Sequence, residues 1–121
     1  MTFKIWTSKE AYYHQAVNIL AGIPPYNRLT NNSKQLLIQF LIQRDLIEEQ
    51  GVTEKHIAEM LLFSRKTKKE ISRILEVKEP SIRNDLHKLR VVGLIKDGKL
   101  NVPASLKYKE DLVFHFEEKQ L

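Results

Sequence analysis

The chain predicts a mainly α-helical domain of about five helices, with a short β-hairpin and a short strand near each end. Three observations lead there. Apolar residues recur at three- and four-residue spacing between Tyr13 and Leu89. Ser, Thr, Pro and Gly punctuate that stretch where helices start and stop. The tetrapeptide "KDGK" is a hairpin-turn signature, and the tail beyond it alternates apolar and polar residues.

Each element has its own justification. "FKIW" at the start alternates weakly, which predicts a strand with Phe3 and Ile5 on one face. Thr7 with Glu10 three residues on is a capping-box pattern, so a first helix should run from Ser8 to about Ala21 and stop at Gly22. Tyr13, Ala16, Val17 and Leu20 are its apolar side. Pro24 and Pro25 prevent continuation. Thr30 should cap a second helix from Asn31 to about Gln50, ended by Gly51, with Leu36, Leu37, Phe40, Leu41 and Ile47 as a wide apolar stripe. Thr53 should cap a third from Glu54 to about Leu62, with Ile57, Met60 and Leu61 inward. Ser64 should cap a fourth from Arg65 to Leu75, with Ile71, Ile74 and Leu75 inward. Pro80, whose φ is already helical, suits the first position of a fifth helix from Pro80 to Val92, after which Gly93 frees the chain to turn. Asp97-Gly98 supplies the two positive-φ residues of a tight hairpin. "PASLKYKE" reads as an irregular linker. "DLVFHFE" reads as a strand with Leu112, Phe114 and Phe116 on its buried face.

Composition excludes several functions. A chain of 121 residues is long enough to bury a core of its own. It has no cysteine, so disulfides and thiolate metal sites are out. Its apolar runs are too short for a membrane span, and "MTFKIWTSKE" lacks the apolar core of a secretory signal, so a cytoplasmic location is expected. His14, His56, His87 and His115 are scattered without metal-ligand spacing. Asp45, Glu48, Glu49 and Glu59 read as helix-surface acids, and Trp6, Tyr12 and Tyr13 as packing residues. Phosphate-cradling glycine motifs and a nucleophile elbow are absent. The expectation is no enzyme, no cofactor, no metal and no small-molecule substrate.

Charge carries the positive signal. The chain nets +5, but residues 65–99 hold eleven basic against five acidic residues, a net of +6, so the remainder nets −1. A local basic excess favours a polyanionic partner. On a helical wheel Ile82, Leu86 and Leu89 fall on one side of the fifth helix. Asn84, His87 and Lys88 fall opposite, with Ser81, Arg83 and Arg90 on the flanks. Arg and Asn are the side chains that pair with guanine and adenine edges in the major groove.

Residues 71–95 resemble a winged helix-turn-helix, on Ile71, Leu75 and Val77 in and before the turn, Ile82, Leu86 and Leu89 after it, and the closing "VVGLI". Glu76 stands where such turns usually have glycine, and Lys78 and Glu79 where a Ser or Thr cap is common. The resemblance implies that the helix from Pro80 to Val92 enters the major groove and that Lys96 to Lys99 form the wing. It thus implies a transcriptional regulator whose partner is double-stranded DNA, contacted by Ser81, Arg83, Asn84, His87, Lys88 and Arg90. Lys66, Lys68 and Lys69 would support it from the preceding helix, and Lys96 and Lys99 from the wing. One domain is expected over 1–121, with a strand at 1–6, a helical part at 7–62, the helix-turn-helix and wing at 64–102, and a linker and strand at 103–121. A weaker resemblance, in length and pattern, is to small helix-turn-helix proteins of tailed phages. It implies a virion or packaging component, of connector or ring type, assembling as a homo-oligomer or with other virion subunits through Leu112, Phe114, Phe116, Phe3 and Ile5.

Overall fold

The computed structural model describes residues 8–104 and 106–108. Five helices and one hairpin follow in order: α1 (Lys9–Leu20), α2 (Asn31–Glu49), α3 (Lys55–Leu62), α4 (Arg65–Leu75), α5 (Glu79–Val91), β1 (Ile95–Lys96) and β2 (Lys99–Leu100). A single 3₁₀ turn, Tyr26–Arg28, follows the proline pair. The strands pair antiparallel, Ile95 opposite Leu100 and Lys96 opposite Lys99. The expected terminal strands, with Phe3, Ile5, Leu112, Phe114 and Phe116, lie outside the described residues, as do Trp6 and His115.

The second helix is the hub. α1, α3, α4 and α5 all pack against α2, and α5 also packs against β1. That placement follows from its sequence: Leu36, Leu37, Ile38, Phe40 and Leu41 are all buried, and so are the polar Ser33, Gln39 and Asp45. A helix apolar around most of its circumference must be surrounded. Thr30 caps it, its Oγ1 accepting the Ser33 N–H at 3.2 Å. Phe40 meets Phe63 at 5.1 Å between ring centroids. Ile71, Ile82, Leu86, Leu89 and Leu94 complete the core on the α4–α5 side.

A polar cluster closes the other side. Buried Tyr13 of α1 donates its hydroxyl hydrogen to Asp45 Oδ2 of α2 at 2.5 Å. The Tyr13 hydroxyl oxygen in turn accepts from the Tyr108 N–H at 3.1 Å and from Arg44 Nη2 at 3.4 Å. Arg44 Nη2 also donates to the Leu106 carbonyl at 2.9 Å. Arg44 Nε and Asp45 Oδ1 are buried without hydrogen-bond partners among the described residues and face each other at 3.7 Å. Burial of Tyr13, then its hydrogen bond to Asp45, pushes its phenol up to about 12. Tyr12 stacks edge-on between Tyr13 and Tyr108, each at 5.4 Å. Lys107 pairs with Glu48, and Lys9 with Glu49.

Several expectations are corrected. Asp45 is not a surface acid but is 5% exposed, because Tyr13 and Arg44 supply its partners. Ile57, Met60 and Leu61 do not face inward: they are 44%, 62% and 41% exposed. Ala58 and Leu62, about 100° to 140° around the wheel from Ile57, take the core side instead. Ile74 is likewise exposed, since Ile71 and Leu75 fill the α4 contact. The α3 N-cap is Glu54 rather than Thr53, with no side-chain bond. α1 runs from Lys9, with Ser8 as its N-cap in place of Thr7, and ends at Leu20, one residue short of the expected Ala21. α5 starts at Glu79, so Pro80 sits one residue inside it, and it ends at Val91. "PASLKYKE" is irregular where described, yet Leu106 is buried in the core and Tyr108 packs on it.

Candidate nucleic-acid interface

Local chemistry sets the angle between α4 and α5. Ser64 caps α4, its Oγ accepting the Thr67 N–H at 3.3 Å, and both hydroxyls donate to the Leu61 carbonyl at 2.7 Å. α4 ends in a six-residue closure: Val77 N–H to Ser72 O at 3.1 Å and Glu76 N–H to Arg73 O at 3.3 Å. Glu76 therefore takes the left-handed conformation, φ 55° and ψ 42°. Ser72 Oγ adds a bond to the Val77 carbonyl. α5 ends by the same closure, Leu94 N–H to Leu89 O and Gly93 N–H to Arg90 O, both 3.0 Å, with Gly93 at φ 84°. Positive φ at both Asp97 (55°) and Gly98 (69°) makes the two-residue hairpin turn expected. Asn101 ties the hairpin back to the end of α5, donating from Nδ2 to the Gly93 carbonyl at 2.9 Å and from its N–H to Leu94 O at 2.7 Å.

On α5 the wheel holds. Ile82, Leu86 and Leu89 are buried, while Ser81, Arg83, Asn84, His87, Lys88 and Arg90 are all exposed. Asp85 is also buried, which its place three residues after Ile82 foreshadows. Lys66 and Lys69 of α4 are exposed and Lys68 is half-buried. Lys96 and Lys99 are exposed on the hairpin. Among the described residues, two of the eleven cations of this segment have acidic partners. Arg73 holds Glu70 at 2.5 Å, and Lys88 lies 3.8 Å from Asp85. The Arg73 hydrogen bonds hold the Glu70 carboxyl below its usual range. Arg65, Lys66, Lys68, Lys69, Lys78, Arg83, Arg90, Lys96 and Lys99 have no ion-pair partner among the described residues. Their charge is free to meet an external anion.

Two residues outside the expected set belong to this surface. Arg65 and Glu79 line a groove of about 130 Å³ with Lys68, Ile82, Arg83 and Leu86. Arg65 was legible as the i, i+3 neighbour of Lys68. A separate, larger groove of about 570 Å³ runs between α2, α3 and the segment after β2. Among the described residues no three His, Asp or Glu side chains come together to hold a metal, and no helix is long and apolar enough to cross a membrane. The chain matches no protein-family model, no curated protein and no solved structure.

Proposed function

We propose that the protein binds double-stranded DNA as a winged helix-turn-helix regulator, with α5 in the major groove and the β1–β2 hairpin as the wing. The carrying observation is that the +6 segment folds with nine cations that have no acidic partner among the described residues, while Arg83 and Asn84 stand exposed on α5. At 13 residues α5 is about 20 Å long, and a helix of ordinary width fits a major groove about 12 Å across. Arg83 and Asn84 would read base edges. Ser81, His87, Lys88 and Arg90 would reach flanking bases or phosphates, with Lys66, Lys68 and Lys69 alongside and Lys96 and Lys99 from the wing. Fluorescence titration of random duplex at two salt concentrations tests this. Binding should weaken steeply with salt. Arg83→Ala and Asn84→Ala should each lose roughly 1–3 kcal/mol on a preferred site with the melting curve unchanged. A parent that ignores duplex at low salt ends this reading.

A second reading has its own observation. Ile57, Met60 and Leu61 form an exposed apolar stripe on α3, the kind of surface protein–protein contacts use. A particle or packaging-complex component, as in a tailed phage, is its concrete form. A higher-order ring in light scattering without duplex affinity selects it.

A further inference from the structure

We propose that the groove between the N-terminal halves of α4 and α5 seats one backbone phosphodiester of the duplex on Arg65 and Lys68, beside the base-reading Arg83, and that Glu79 at its edge holds this contact weak. The inference rests on the DNA-binding reading and adds to it a contact and a brake.

The groove is assembled from two helices. Arg65 and Lys68, three residues apart, project from one side of α4, and Glu79, Ile82, Arg83 and Leu86 come from α5. Three cations and one acid leave it at net +2. Among the described residues none of the four is in an ion pair, so no described carboxylate neutralises the cations. The apolar lining also selects among anions. Ile82 and Leu86 are 3% and 2% exposed, so they present carbon at the base of the groove. A phosphodiester brings deoxyribose C–H faces on either side of its charge, which suit that base. A free phosphate would need donors all round.

Placement of the cations has a cost that an external anion offsets. Arg65, Lys66, Lys68 and Lys69 fall within the first five residues of α4, where the helix end carries partial positive charge and cations are disfavoured. Glu79 pulls the other way. It lines the same groove without closing on any of its cations, so its charge attracts them and repels a phosphate at once. Its position at the start of α5 is electrostatically comfortable for an acid, so the brake costs the fold nothing.

The experiment uses the full chain and fluorescent duplexes of several sequences over a salt series, with melting curves for every variant. Arg65→Gln and Lys68→Gln should each weaken all sequences alike and reduce the slope of log affinity against log salt by about one. Glu79→Gln should tighten all sequences alike, by about two- to five-fold, the ordinary size of one exposed charge interaction. Asn84→Ala, on the α5 face, should instead change the ranking of sequences with the slope intact. If Asn84→Ala is impaired while Lys68→Gln and Glu79→Gln bind as the parent does, the groove contact is overturned and the DNA-binding reading stands. If neither the parent nor Glu79→Gln binds duplex at low salt, both fall.

Discussion

Tyr13 shows how much one buried side chain organises. Its hydroxyl joins α1, α2 and the segment at 106–108, and its phenol is raised from 10 to about 12. Between those values the unfolded chain gives up this proton and the folded chain keeps it. Unfolding is therefore favoured as pH rises, and the contribution is whole below pH 10 and gone above 12. It is worth roughly 2–3 kcal/mol at most. Denaturant melts should show the parent losing stability more steeply than Tyr13→Phe between about pH 10 and pH 12. Parallel losses would mean that the proton is not held as described. The sequence marked Tyr13 as apolar helix face and hid its partner. Asp45 sits among Arg44, Glu48 and Glu49, a run that reads as solvated surface, and only the return of residues 106–108 onto α2 makes it interior.

At the scale of elements, two helix ends with one geometry make an internal comparison. α5 closes through Gly93, and α4 closes through Glu76 in the same left-handed region. A side chain there clashes with the following carbonyl, and glycine does not. Glu76→Gly should thus stabilise the fold by about 0.5–1 kcal/mol, after the extra entropy glycine gives the unfolded chain. A thermal melt reads it, and a lower midpoint would show that Glu76 has a compensating role. The helices were legible because caps and stops are local: Thr30 and Ser64 each cap as their sequence context indicates, and Ser8 caps one residue after the Thr7 that the capping-box pattern marks. α3 was legible as a helix but not in its orientation. It is apolar on two sides, and periodicity cannot say which of Ile57 or Leu62 meets the core. The exposed α5 face was legible because, apart from buried Asp85, its polar and apolar residues fall on opposite sides. The groove was not, since it needs Arg65 and Arg83 from separate helices.

The whole molecule is divided by charge. The cationic excess belongs to α4, α5 and the hairpin, whereas on α2 Glu48 and Glu49 are engaged by Lys107 and Lys9. Among the described residues the first part leaves most of its cations without ion pairs, and the second uses its charge to fasten the ends of the described chain. That fastening has a kinetic consequence. The bond from the Tyr108 N–H to the Tyr13 hydroxyl links residues 95 apart, so making it closes a loop over nearly all the described chain. Loop closure of that length is entropically among the last steps to be repaid, while helix pairs such as α4 and α5 form from neighbours in sequence. The clasp should be open at the rate-limiting barrier and shut only after it. Tyr13→Phe should then leave the refolding arm of a stopped-flow chevron where it is and raise the unfolding arm. The tyrosine would be a latch that sets how long the native state lives and has no say in how quickly it is reached.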